Sequence, residues 1–595
     1  MFAEPKIKAN FGRNEPQYRF LMHFGLRKLF ISLLLLLWLP GLLQAQHEEI
    51  KKDFKEGRLS IDEKILYQLY AGTKPQSLPR SYQRGDDRSI KCGTPALMDF
   101  HKHRSRLSAG TVARVEALTS TPIQHATQRY RSRSGRFEIN YSTAGEHAVP
   151  TQDTNNNGTP DYIEWVAQAA DSSYRHEVQN LGYTDPMPDP GQPYQIYFEN
   201  MGFYGYTDIV SGSTYIVMHN NYQGFPDNDD PQGNQRGAIR ATAAHELKHA
   251  IQYAATGWSG ESDQWAEMDA TLMEEIVYDP VNDYYNYLSD SESIFNNPET
   301  SFYPGSYYHV SWALFFEEKY GPQFWPSVWT IIKNDPTITM IEALSRQLGG
   351  ADVFQHDYVE SQLWHYAAGP NNTADGFGFE ERRHYPKPNI RPGSDFYTGD
   401  LATPRAVPDY TLERLSATYY RVTPPREATG NMAVEVSVAE PNTGVGVLAY
   451  FADGTTDYRI MTSGDNQTAA LSTPWAWKDI TSAGIVLTNS GTDSAAEAAV
   501  VQVGNTDFSQ LTLHQNYPNP FRNTTTIRFT LAEPSRVKLE LYDMIGRHLR
   551  TLYDQKLEAG LHVKTIEAGS LASGVYVYQL VTDRQAVAKK MTRIK

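Results

Sequence analysis

The stretch Ala241–Tyr253, ATAAHELKHAIQY, sets two histidines four positions apart, with a glutamate directly after the first. Residues at that spacing share one face of an α-helix, so His245 and His249 can present both imidazoles to one ion. Zinc takes such ligands in a tetrahedral array, keeps one position open when it is catalytic, and brings the pKa of a water there towards neutrality. Glu246 is placed to take that water's proton. HExxH therefore supplies two ligands and a base in little more than one helical turn. The plain alternative is an amphipathic helix that carries two histidines by accident; with 17 histidines in the chain this pattern seldom arises by chance.

A third ligand should lie downstream. The segment QWAEMDATLMEEIVYD (264–279) offers Glu267, Glu274 and Glu275, and Glu267 and Glu274 are seven apart, two helical turns on one face. Here the chain resembles the gluzincin metallopeptidases, the group that includes thermolysin-like proteases and zinc aminopeptidases. Those follow HExxH with a glutamate on a second helix, often in a WLNEG(F/L)A-type segment with another acid seven residues on. Trp265, Ala266, Glu267 and Glu274 fit that shape, seventeen residues separate His249 from Glu267, and Met268 stands where the group usually has glycine. The resemblance implies a zincin-like α+β catalytic domain with Glu267 as third zinc ligand. Glu274 becomes either a partner that orients a ligand histidine or the alternative ligand. Zinc aminopeptidases also carry a tyrosine in a segment like YEKGFALLF. This chain has YHVSWALFF from Tyr308, with Val310 and Ser311 replacing the lysine and glycine. By that likeness Tyr308, or His309 beside it, faces the developing oxyanion. The alternative is an aromatic helix cap buried in the core.

The chain's 595 residues imply several domains, and 40% hydrophobic content allows large cores. A formal charge of −15 and the lack of a basic, aromatic-laced stripe argue against nucleic acid as partner. LRKLFISLLLLLWLPGLLQAQ (26–46) has a basic front, an apolar run, a Pro40-Gly41 break and Ala45, and predicts a signal peptide over 1–45. Met22 is an alternative start and a retained N-terminal anchor the alternative fate. No later segment is long and apolar enough to span a bilayer, so no stable transmembrane anchor is expected after processing.

Residues 46–135, rich in Arg and Lys, predict a loosely structured, protease-sensitive lead. Residues 136–402 mix helical and strand signals, beginning at FEINY (137–141), with aromatic-rich helices expected over 308–320 and 354–366. Short β-runs over 403–507 (YYRVT, MAVEVSV, GVLAYF, YRIMT, GIVLTN, AAVVQV) predict an Ig-like β-sandwich, and a second β-module occupies 511–595.

DTNNNGTPDYIE (153–164) matches D-x-N-x-N-G-x5-E, a calcium loop. Asp153, Asn155 and Asn157 offer side-chain oxygens, Gly158 permits the sharp turn, Thr159 offers its carbonyl, Asp161 takes the ninth position and Glu164 the twelfth. An ordinary Asn-rich turn is the alternative. The lone Cys92 lies in SIKCGTP (89–95), which resembles the R/K-x-C-G segment of propeptides that silence zinc proteases by a cysteine switch. A thiolate can fill zinc's open position and exclude water, which explains a free thiol in an exported chain; an inert buried cysteine is the other reading.

The final module, with QNYPNPF (515–521), YDMIGR, SGVYVYQL and a basic KK end, resembles the C-terminal sorting domains of type IX secretion cargo. That implies a Gram-negative exporter and its secretion machinery as partner, with the mature protein at the cell surface or released. Together these features predict a secreted zinc- and calcium-dependent endopeptidase, made as a zymogen, acting on proteins or peptides. The rivals are an inert surface adhesion protein on the same scaffold and, more weakly, an aminopeptidase, for which no GxMEN-like segment is found.

Overall fold

The computed structural model describes residues 45–83, 90–187, 191–370, 376–393, 396–400, 411–426, 428–438, 441–462, 468–506 and 511–595. The predicted signal peptide, apart from Ala45, lies outside them. No helix among the described residues is long and apolar enough to cross a membrane. The chain is multidomain and mixes helical with β-sheet regions.

The first sheet has six strands: β1 (Ile90–Cys92), β2 (Gln128–Arg131), β3 (Phe137–Tyr141), β4 (Tyr194–Glu199), β5 (Phe203–Val210) and β6 (Ser213–His219), in the order β1-β5-β6-β4-β3-β2. β3, β4 and β6 run parallel, whereas β5 is antiparallel to β6. The apolar runs of β4 to β6 suit strands covered on both faces. On one face lie α5 (Asp161–Tyr174) and α6 (Asn234–Thr256), whose Ile163, Val166, Ala243, Ala244 and Leu247 pack with Ile196, Ile216 and Met218. α7 (Ala266–Tyr278) lies against α6, so HExxH and the downstream acids come from two adjacent buried helices.

The other face corrects one expectation. The lead is not loose. It folds as α1 (Ala45–Lys55), α2 (Ile61–Thr73), α3 (Thr94–His103) and α4 (Ala109–His125), and supplies a sheet strand, β1. Ile65, Leu66, Leu69, Leu97, Phe100, Val115 and Leu118 pack against Phe203, Tyr206, Tyr215 and Val217. Ser60 caps α2 in a reciprocal box with Glu63. Basic residues at the surface interrupt the helical spacing of the apolar ones and hide it.

The two aromatic-rich helices are α8 (Val310–Tyr320) and, after α9 (Phe324–Asn334) and α10 (Met340–Leu348), α11 (Ala351–Tyr366). α11 lays Val359, Leu363 and Tyr366 onto Ala417, Tyr419, Leu448 and Val486 of the β-sandwich, whose two five-stranded sheets enclose Val434, Val436, Val447, Trp477, Ile485 and Val503. The sandwich recruits strands at 391–392 and 397–400, so its sheets begin before residue 403. The last module holds sheets of three and four strands around Phe529, Leu539, Tyr578 and Met591.

Candidate metal centre

α6 is a 23-residue helix whose middle is fully buried, and His245, Glu246 and His249 are each at most 1% exposed. Each histidine has its Nδ1 occupied. His245 Nδ1 donates to Glu274 Oε1 at 2.7 Å, and His249 Nδ1 donates to Gln252 Oε1 at 2.8 Å. Gln252 is itself fixed, because its Nε2 donates to Asp269 Oδ2 at 2.8 Å. Both Nε2 lone pairs are thereby turned to one point, 3.1 Å apart. Glu267 reaches the same point, Oε1 at 3.0 Å from His249 Nε2 and Oε2 at 3.6 Å from His245 Nε2. Cys92 Sγ comes from β1, 3.4 Å from His249 Nε2. One donor atom from each of Cys92, His245, His249 and Glu267 lies within 4.8 Å of every other.

This set fits a metal ion on grounds of charge and pairing. Both Glu267 oxygens are buried and face only the two imidazoles, a costly arrangement for a carboxylate unless a positive charge lies among them. The carboxylates of Glu267 and Glu274 make the His245 site favour positive charge in spite of its burial. Burial, with the carboxylates of Glu246 and Glu267, pushes the Cys92 thiol well up. Two imidazoles, a carboxylate and a sulfur are a donor set that zinc accepts.

Glu246 is held from three sides. Cys92 Sγ lies 3.3 Å from Oε1, while Thr94 Oγ1 and Thr207 Oγ1 donate to Oε2 at 3.1 and 2.8 Å. Beside the metal donors, Lys91 is 2% exposed and sends Nζ to Glu274 Oε2 at 2.7 Å and Asp283 Oδ2 at 2.6 Å. Burial works against this ammonium, but Asp283 and Glu274 hold its pKa well above the usual value.

The other candidates fall differently. Tyr308 sits on the turn Tyr307–His309, packed on α7, with its hydroxyl 2.9 Å from that of Tyr307. His309 is not among the converging donors: Nδ1 accepts from Ser306 N–H at 3.1 Å and Nε2 donates to the Glu292 carbonyl at 2.9 Å, so its ring caps a turn. Glu275 belongs to a separate acidic group with Asp279 and Glu381. In the 153–164 loop, Asp153 and Asn155 each accept from Asn157 N–H, Thr159 N–H donates to Asn157 Oδ1, and Asn155 and Asn157 donate their amides to Glu164. Asp161 instead turns its carboxylate to Thr154 N and Oγ1, at 3.1 and 2.5 Å. Lys91, Thr207, Gln252 and Asp283 were not read from the sequence. Only Lys91, flanking Cys92, carried a signal that could have found it.

Residues 515–595 match the family model described as the secretion system C-terminal sorting domain. This marks the chain as type IX secretion cargo. It is exported across the outer membrane, to the cell surface or beyond it. No curated protein matches the sequence. Among solved structures, a beta-1,2-glucanase from Parabacteroides distasonis is 7% identical over 30% of each chain, with a TM-score of 0.14. A beta-glucuronidase from Faecalibacterium prausnitzii is 9% identical, covering 30% of this chain and 36% of that one, with a TM-score of 0.14. A beta-glycosidase from Bacteroides vulgatus is 14% identical, covering 30% and 25%, with a TM-score of 0.12. The chain spans about a third or less of these proteins, and likenesses this slight carry no argument about fold or activity.

Proposed function

We propose that the protein is an exported zinc-dependent endopeptidase made in a latent form. His245, His249 and Glu267 hold the ion, and Cys92 fills its fourth position until activation. The observation that supports this most is the meeting of those four donors around Glu267 oxygens that have no other partner. Bound zinc would supply Lewis acidity towards the scissile carbonyl and the attacking water. Glu246 takes the proton from that water and passes it to the leaving amine. Thr207 keeps hold of Oε2, so Oε1, which faces Cys92 in the latent form, is the oxygen that receives it. When β1 leaves, Cys92 and Thr94 withdraw together and the edge of β5 opens to a peptide backbone. Activation needs only that segment to move; the lead helices α2 and α4 can stay on the far face of the sheet. With His309 committed to its cap, Tyr308 is the side chain assigned to the oxyanion. Asp153, Asn155, Asn157 and Glu164 are assigned to a structural calcium ion.

The test compares the full chain with its Glu246→Gln and Cys92→Ala variants, before and after limited trypsin, for zinc per molecule and casein hydrolysis. About one zinc per chain is expected, with activity that appears after trypsin and falls at least about 100-fold in Glu246→Gln. Cys92→Ala is expected to reach full activity with less trypsin than the parent, since β1 keeps its place on β5 through Lys91. A chain that binds no zinc overturns the reading, and zinc without turnover on any protein favours an inert scaffold.

A further inference from the structure

The four groups placed around the Lys91 ammonium all come from outside the lead. Glu274 comes from α7, Asp283 from the loop after it, Tyr204 from β5 and Tyr287 from the turn Tyr285–Leu288. Nζ lies 2.7 Å from one carboxylate and 2.6 Å from the other, 4.4 Å from the centre of the Tyr204 ring and 5.3 Å from that of Tyr287. Tyr204 also donates its hydroxyl to Asp283 Oδ1 at 3.2 Å, which fixes that wall. Two carboxylates and two ring faces around one ammonium form a receptor for an alkylammonium side chain. Apolar contacts could anchor the lead without the desolvation cost of three buried charges.

The position of the pocket gives it a use. Lys91 is adjacent in sequence to Cys92, whose sulfur lies among the metal donors, and Glu274 binds Lys91 with one oxygen and the zinc-ligand candidate His245 with the other. A side chain in this pocket therefore belongs to a residue flanking the group at the metal. We infer that the pocket is a substrate subsite which the lead fills with its own lysine, and that the activated protein cuts peptides beside a lysine. The inference rests on the peptidase reading above. Once β1 has left, Glu274 and Asp283 present two carboxylates with no cation between them, and a lysine side chain restores the pairing. A neutral side chain of the same length leaves both unpaired, which is strong discrimination against it.

The experiment uses the trypsin-activated full chain, with trypsin then blocked irreversibly and identically treated Glu246→Gln as the blank. Blocked, internally quenched octapeptides carry lysine or norleucine at each of the four central positions in turn. At one position, kcat/KM for lysine is expected to exceed that for norleucine at least about tenfold, and Asp283→Asn is expected to bring the ratio close to one. A second readout needs no turnover: fluorescence anisotropy of the same peptides on activated, zinc-loaded Glu246→Gln should show the same preference in Kd. Equal handling of lysine and norleucine at every position, or a preference that Asp283→Asn leaves intact, overturns the inference while the peptidase reading stands. If no peptide is cut, the peptidase reading falls, and the anisotropy ratio still decides whether this pocket takes a lysine.

Discussion

Glu267 and Glu274 stand two turns apart on α7, yet they meet different nitrogens of the same imidazole. Glu267 approaches His245 Nε2 at 3.6 Å and Glu274 binds Nδ1 at 2.7 Å. A carboxylate that accepts the Nδ1 proton fixes the tautomer, and under the proposed zinc reading the one on the Nε2 side would share the ion. A different buried acid, Glu199 at the end of β4, feels the charge of Lys74, but burial outweighs it. Burial pushes its pKa up to about 7, against a hydrogen bond from Tyr206 at 3.3 Å that lowers it. The folded value lies above the unfolded one near 4.5, so the folded state is favoured when Glu199 is protonated. That contribution is complete below about pH 4.5 and is lost as pH rises to about 7. Glu199→Gln removes the penalty. In urea titrations at pH 5 and pH 8, the variant should gain on the parent by up to about 3 kcal/mol more at the higher pH. A gap that does not change between the two pH values would refute it.

Where α6 crosses β5, the contact depends on a missing side chain. A Cβ on Gly205 would come 2.8 Å from Thr242 Cγ2, 3.0 Å from Glu246 Cγ and 3.0 Å from the Val217 carbonyl. Thr242 cannot turn aside, because its hydroxyl is bound to the Ala238 carbonyl at 2.7 Å. Gly205→Ala should therefore push the helix off the strand, at about 1–3 kcal/mol, and carry Glu246 with it. Gly110→Ala, in α4 with nothing within 4 Å of the added carbon, should be neutral or stabilising by up to about 1 kcal/mol. Urea unfolding followed by tryptophan fluorescence compares the two; equal midpoints would contradict the packing argument. Elements such as α6 and α7 are legible in the sequence because the metal pattern needs helical spacing, and β-runs such as GVYVYQLV alternate. β1 is not legible. Three residues have no period, and they become a strand only because β5 offers an open edge. The lead helices were missed because Arg and Lys are interspersed, in helices and loops alike, with the apolar residues that decide their faces. The Lys91 pocket was invisible for another reason: its partners Glu274 and Asp283 are 183 and 192 residues away in sequence.

At the scale of the whole molecule, the modules are joined by buried contacts, which no local pattern encodes. The strands of the sorting tail can be read from its alternating segments, whereas its seat on the β-sandwich cannot. The seat is a buried ion pair: Arg528 places Nε 2.9 Å and Nη2 2.6 Å from the two oxygens of Glu435, and Gln502 donates to the same carboxylate at 2.6 Å. Leu561 N–H adds a bond to Ser472 Oγ at 2.7 Å. Arg528 and Glu435 are 4% and 1% exposed, so removing one partner leaves a charge in an apolar junction. Arg528→Met should cost about 3–5 kcal/mol, because Glu435 keeps its desolvation penalty and loses its cation. The loss falls on the junction, since the tail retains its own core around Phe529 and Tyr578. Limited proteolysis should then cut between the sandwich and the tail several-fold faster than in the parent, with both products still folded by circular dichroism. Adding Glu435→Leu to Arg528→Met removes the orphaned charge and should return the cutting rate most of the way to the parent's. If Arg528→Met is cut at the parent's rate, the ion pair does not hold the tail in place. If the double variant is cut as fast as the single one, packing rather than charge sets the junction.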